Sequence, residues 1–196
     1  MERFNMAEQS TPKQRSVIGD TIADPKATPS TRPRLQIIRG LPGSGKTTLA
    51  LKRYPNLLRL ETDMFFSRQG EYRFTPALNK KAVEWFNDAI ELNCATGMDF
   101  VVTGVFAAHT ERLSHAINCG CRYGYDVFIK TLTSQYEGTH GVPKEHLDAM
   151  RADFVPEREL KRAYSGWCNI HFGLMPTRYP LAHLAKKCQD GMKRSR

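Results

Sequence analysis

Gly40, Gly45, Lys46 and Thr47 stand at the spacing G-x-x-x-x-G-K-[ST] within LQIIRGLPGSGKTT, residues 35–48. These residue types at that spacing hold a triphosphate. Gly43 and Gly45 let the backbone curl so that successive N–H groups point inward at phosphate oxygens. A helix starting at the end of the loop adds the partial positive charge of its N-terminus. Lys46 then reaches the outer phosphates, and the Thr47 hydroxyl is placed to ligate Mg²⁺. Pro42, Ser44 and Thr48 complete the candidate nucleotide-binding set: Gly40, Pro42, Gly43, Ser44, Gly45, Lys46, Thr47 and Thr48.

The motif means this only between a strand and a helix. Leu35, Ile37 and Ile38 form a short apolar run of the kind found in a strand covered on both faces, and Thr48 to Lys52 can continue as a helix. Further on, Asn56–Glu61 reads as a second strand ending in Thr62-Asp63, followed by a loop with Gly70 and Pro76. Residues 77–96 read as a helix, with Leu78, Ala82, Trp85, Phe86, Ala89 and Leu92 at helical spacing. Phe100–Val102 reads as a strand with Gly104 at its edge, and 110–119 as a helix leading through Gly120 and Gly124 into a strand over 125–132. Short helices over 143–151 and 156–164 and a last strand near 168–172 complete the series. Alternating strands and helices imply a parallel sheet covered on both faces, with ligands bound beyond the C-terminal strand ends.

At 196 residues and 40% apolar content, the chain fits one domain with tails. Residues 1–32 are polar and charged and are expected to be a disordered arm, 33–175 the folded domain, and 176–196 a basic tail. No run approaches the roughly 18 apolar residues of a membrane span. The first residues contain no apolar signal segment, and five cysteines without framework spacing suggest reduced thiols, so a cytoplasmic location is expected. The net charge is +9; residues 157–196 carry nine basic and three acidic groups, a bias that attracts polyanions, nucleic acid first. A solubilising tail has the same charge.

Asp63 directly follows the second strand, on the edge where the glycine loop emerges. A carboxylate there can take the proton of a hydroxyl attacking a γ-phosphate; it can also simply cap the following turn. Cys119-Gly-Cys121 lacks a second pair at zinc spacing, and His109, Arg112 and His115 read more readily as surface or core residues than as a substrate entrance. Trp167, Phe172 and Tyr179 interleave with basic residues as base-stacking groups would, although ordinary packing has the same pattern.

Four segments in order, GLPGSGKTT, ETDMFF, GEYRFTPALNKKAVEWF and HGVPKEHLDAM, resemble the polynucleotide 5′-kinase family, in the branch of the NEDD4-binding protein 2 kinase domain and its phage relatives. The resemblance covers about residues 35–155. It implies a P-loop NTPase three-layer α/β sandwich with a helical lid, ATP and Mg²⁺ as cofactors, Asp63 as catalytic carboxylate, and His140-Gly141-Val142-Pro143 closing over the phosphates. Where relatives carry an Asp-Asn-Thr-Asn-like turn, this chain has Thr103-Gly104-Val105-Phe106; where they carry an Arg-Asn pair before the lid histidine, it has Glu137-Gly138; and Val83 replaces a usual His. Lys144, Arg151, Arg158 and Arg162 offer a substitute cation, with Arg151 foremost. The expected catalytic set is therefore Asp63, Lys46 and Arg151, with Thr47 on the metal. The expected reaction moves the γ-phosphate of ATP to a hydroxyl, a nucleic-acid 5′ end first. A small-molecule or nucleotide-sugar kinase of zeta-toxin type and a catalytically weakened ATP-binding module are the alternatives.

Overall fold

All seven residues of β1 (Arg34–Gly40) are buried, because the strand has a neighbour on each side and helices above and below. A computed structural model describes residues 31–68, 71–107, 111–134, 142–167 and 169–176. In it β1 pairs in parallel with β5 (Phe100–Gly104) and β6 (Asp126–Leu132). Outside these lie β2 (Leu58–Glu61) and β7 (Ile170–Phe172), giving a parallel five-stranded sheet in the order β2-β5-β1-β6-β7. The helices are α1 (Lys46–Arg53), α2 (Asn79–Thr96), α3 (Glu111–Arg122), α4 (Lys144–Ala152) and α5 (Glu157–Ala163). This is the α/β fold, a parallel sheet with helices packed on it, that the alternation of elements implies, and the P-loop sandwich that the resemblance implies.

Side-chain alternation along β1 divides the core. Leu35 and Ile37 join Phe86, Ile90, Leu113, Ile117 and Leu160 on one face, while Ile38 meets Ala50, Tyr54 and Met175 on the other. Three polar residues share this buried strand, and each must find partners inside the protein. Arg34 forms an ion pair with Asp99 at 2.7 Å and donates to the Pro176 carbonyl at 2.7 Å. Gln36 Oε1 accepts from the Tyr54 hydroxyl at 3.0 Å and from the Met175 amide. Arg39 Nη2 donates to the carbonyls of Val155 (2.9 Å) and Ala107 (3.2 Å), and its guanidinium lies 4.2 Å from the Phe154 ring centroid.

The structure corrects several boundaries. After β2 the chain forms a 3₁₀ turn (Thr62–Phe66) and a small hairpin of β3 (Ser67–Arg68) and β4 (Glu71–Tyr72), not a plain loop. In α2 the buried stripe is Ala82, Phe86, Ile90 and Cys94, four residues apart; Leu92 falls off it and is 70% exposed. Residues 157–175, expected within the folded domain, carry α5 and β7, so the basic excess beyond the described residues is the six basic and one acidic residues of 177–196. Residues 1–30 of the arm expected at 1–32, His140 and Gly141 of the lid expected at 140–143, His109, Cys168 and Tyr179 lie outside the described residues. Among the described helices none is long and apolar enough to cross a membrane.

Gly120 is not a connector but lies inside α3, packed closely against the sheet. A Cβ there would stand 2.6 Å from Val127 Cγ2 and 3.3 Å from Leu35 Cδ2. Both neighbours are fully buried, and Val127 is stiff at χ1, so neither can yield cheaply. Gly120→Ala gains roughly 1 kcal/mol of helix propensity but adds overpacking of about 1–3 kcal/mol. A lower urea midpoint with an unchanged m-value is the expected outcome.

Candidate functional site

The chain leaves β1 at Gly40 and turns through Gly43 (φ 77°) and Gly45 (φ 83°), both left-handed. The Ser44 amide donates to the Leu41 carbonyl at 3.1 Å, closing the turn, and the buried Ser44 Oγ has no hydrogen-bond partner among the described residues. Gly45 caps α1, so the free amides of that helix's first turn open onto the loop. The base of this cradle is tight. A Cβ on Gly40 would collide with Ser44 Oγ and come within 2.8 Å of the Leu132 carbonyl.

Lys46 Nζ donates to the Leu41 carbonyl at 2.9 Å. Burial holds its ammonium below the usual lysine pKa, and the charges of Glu61 and Asp63 pull it back up. Two carboxylates therefore act on the same ammonium from the end of β2. Asp63 is exposed within the 3₁₀ turn. Glu61 is more enclosed. Its Oε1 accepts the Thr47 hydroxyl at 3.0 Å and the Thr103 hydroxyl at 2.6 Å. Arg59 Nε also lies 3.0 Å from that oxygen; the contact is one of charge, since its N–H is not aligned to donate. The parallel register places Glu61 opposite Thr103, so a carboxylate from β2 stands beside the edge of β5 where the chain carries Thr103-Gly104.

Glu61 was not among the residues expected from sequence. The available signal was its position as the last residue of a strand beside the one that adjoins β1. Together, Thr47, Glu61, Thr103 and Asp63 offer hydroxyl and carboxylate oxygens on one edge of the sheet. Such hard donors suit Mg²⁺, and the lysine and glycine turn beside them suit phosphate. The residues present fit both groups.

The remaining candidates are more scattered. Arg151, in the last turn of α4, is half exposed and pairs with Asp148 of its own helix at 2.8 Å. Arg39, directly behind Gly40, was not singled out from sequence. Burial lowers its pKa to about 10, against the opposing charge of Glu157, and it joins the segments at Ala107 and Val155 to the root of the loop. His115 does not face an entrance; its Nε2 points between Asn87 O (3.2 Å) and Cys119 Sγ (3.4 Å), at the α2–α3 contact. Arg112 on α3 is partly buried, which lowers its pKa. Trp167 packs edge-on against Tyr164, and Lys161 lies over the Phe172 ring, so both aromatics are engaged within the protein.

No protein-family model matches the sequence. Among solved structures, the chain is similar to one in the Pnkp1/Rnl/Hen1 RNA repair complex, with TM-score 0.52 and 17% identity over 67% of this chain and 46% of that one. It thus spans less than half the length of that protein. Looser overlays are found with an APS kinase from Mycobacterium tuberculosis (TM-score 0.39, 17% identity, 83% of this chain, 98% of that one). The same holds for a shikimate kinase from Acinetobacter baumannii (TM-score 0.39, 15% identity, 85% and 96%). At these identities the likeness concerns the fold.

The tightness of the cradle can be tested without any ligand. Gly40→Ala must push the loop away from the Leu132 carbonyl, and a cost of about 1–3 kcal/mol is expected, read as a lower Tm. A Tm equal to that of the parent protein would mean that the loop is looser than these contacts indicate.

Proposed function

We propose that this protein is a Mg²⁺-dependent P-loop kinase that transfers the γ-phosphate of ATP to a hydroxyl, most readily the 5′-hydroxyl of a nucleic acid. The observation that carries this reading is the convergence of the Lys46 ammonium, the Asp63 and Glu61 carboxylates and the Thr47 hydroxyl at the mouth of one glycine turn. Residues 33–175 are the catalytic unit, 1–32 and 176–196 its appendages. The thiols of Cys94 and Cys119, neither in a disulfide, suit a reducing, cytoplasmic setting.

In this proposal the loop amides of Pro42 to Thr48, Pro42 itself lacking one, surround the phosphates, and Lys46 leaves the Leu41 carbonyl to neutralise the outer ones. When bound, Mg²⁺ neutralises charge on the phosphate oxygens. Thr47 and Glu61 are its assigned holders, with Thr103 orienting Glu61 through their 2.6 Å hydrogen bond. Asp63 accepts the hydroxyl proton as the acceptor oxygen bonds to the γ-phosphorus; the bond from that phosphorus to the bridging oxygen breaks, and ADP leaves. Arg151 is assigned to the charge on the transferred group, which requires it to exchange Asp148 for the phosphoryl oxygens. A positively charged stretch of six basic and one acidic residues at 177–196 favours a polyanionic acceptor.

The decisive experiment is transfer of label from γ-labelled ATP to a 5′-hydroxyl oligonucleotide. Asp63→Asn should lower kcat by on the order of 10²–10⁴ while leaving ATP affinity within a few-fold, since only proton acceptance is removed. Undiminished turnover in Asp63→Asn would remove the base from this scheme. Lack of transfer to the oligonucleotide, with ATP binding intact, would rule out the acceptor.

The acceptor assignment has a second, independent readout. Deleting 177–196 should flatten the dependence of oligonucleotide binding on salt, by several units in the slope of log K against log salt if most of its six basic residues contact phosphate. An unchanged slope would show that the tail only solubilises.

A further inference from the structure

The side of α2 and α3 away from the phosphate loop carries a second group of chemistry-bearing residues that the kinase reading leaves unused. Glu91 of α2 and His115 and Cys119 of α3 present one ligand atom each, all within 4.8 Å of one another. His115 and Cys119 are four residues apart on one face of α3, and Glu91 comes to them across the helix contact. We propose that Glu91, His115 and Cys119 form a site for a single Zn²⁺-class ion that pins α2 to α3, with water as the fourth ligand.

Geometry favours this over coincidence. A tetrahedral zinc with bonds of about 2.0–2.3 Å places its ligand atoms roughly 3.3–3.8 Å apart. Cys119 Sγ and His115 Nε2 are already 3.4 Å apart. The Glu91 carboxylate lies within 4.8 Å of both, on a side chain that is only partly buried.

A cation already occupies the position. Arg122 Nη2 lies 3.2 Å from Glu91 Oε1 and 3.4 Å from Cys119 Sγ, bridging the carboxylate and the thiol. That guanidinium belongs to a half-exposed side chain, so it can swing into solvent when an ion takes its place. The Asn87 carbonyl lies 3.2 Å from the same His115 Nε2, a contact that an ion on that nitrogen would have to replace, and the Asn87 side chain keeps a buried oxygen with no hydrogen-bond partner among the described residues.

The donor set selects the metal. One sulfur, one imidazole nitrogen and one carboxylate suit zinc and its spectroscopic substitute cobalt(II), and are poor ligands for Mg²⁺. A thiol binds a metal as its thiolate, so an ion that takes the place of Arg122 must also displace the Cys119 proton. Cys94 is not among the three residues whose ligand atoms converge. The inference is independent of the kinase reading.

The test uses the full chain, reduced, stripped with chelator and kept in excess Mg²⁺ so that hard-oxygen sites are filled. Cobalt(II) is titrated in and followed by absorbance. One equivalent should produce a thiolate-to-cobalt charge-transfer band with the intense visible bands of tetrahedral cobalt, and Zn²⁺ should erase both. Cys119→Ser should abolish the charge-transfer band, whereas Cys94→Ser and Cys121→Ser should leave it. Glu91→Gln and His115→Gln should each weaken binding tenfold or more. Both keep side-chain size, so they remain informative if Cys119→Ser fails to fold. Arg122→Met, which removes the competing cation from an exposed position, should tighten binding several-fold. Absence of the band at stoichiometric cobalt, its survival in Cys119→Ser, or affinity indifferent to Glu91→Gln would each overturn the site.

Discussion

A strand buried on both faces and both edges has no water to satisfy its polar side chains, and β1 carries three of them. Each is forced to bind another part of the chain. Arg34 takes hold of Asp99 and the Pro176 carbonyl, Gln36 binds Tyr54 and Met175, and Arg39 reaches Ala107 and Val155. The strand that ends in the glycine turn is thereby tied to the segment before β5, the segment after it, the C-terminal end of α1, the link between α4 and α5, and the stretch after β7. Replacing one of these side chains by an apolar one would empty its own contacts and also orphan buried carbonyls on segments far away in sequence.

The same logic of buried polarity shapes the candidate site. Glu61 serves two hydroxyls from two different elements, Thr47 at the start of α1 and Thr103 on β5. Its carboxylate is thus already oriented. In the proposed reaction this would be electrostatic preorganisation, with the reorganisation falling on the longer side chains, Lys46 and Arg151, which would exchange one partner for another.

The glycine turn and the alternation of strands and helices were legible in the sequence because both are local signals: a motif of eight residues, and apolar runs punctuated by turn residues. What escaped was non-local. Glu61 stood in plain view beside Asp63, but its partnership with Thr103 arises from the parallel register of β2 on β5, which no spacing reveals. Arg39 looked like an unremarkable residue before a loop, since its partners lie 68 and 116 positions away. Gly120 resembled a helix terminator and proved to be a point of helix–sheet contact. Leu92 stands at helical spacing with the other apolar residues of its segment, but a stripe built on every fourth residue from Ala82 leaves it facing solvent. Cys119 was weighed with Cys121, its near neighbour in sequence, whereas its neighbours in space include His115 and Glu91.

The order of strands has a consequence for how the two sides of the site move. The glycine turn grows from β1, the middle strand, whereas Asp63 follows β2, which the described sheet pairs on one side only. Amides at the centre of such a sheet exchange with solvent only through openings that approach global unfolding, while those at its margin exchange through small local ones. In the proposed reaction the half assigned to phosphate is accordingly the stiff half, and the carboxylate assigned to the incoming hydroxyl follows a marginal strand. Such a margin would let the site adjust to acceptors of different shape while the donor side keeps its form.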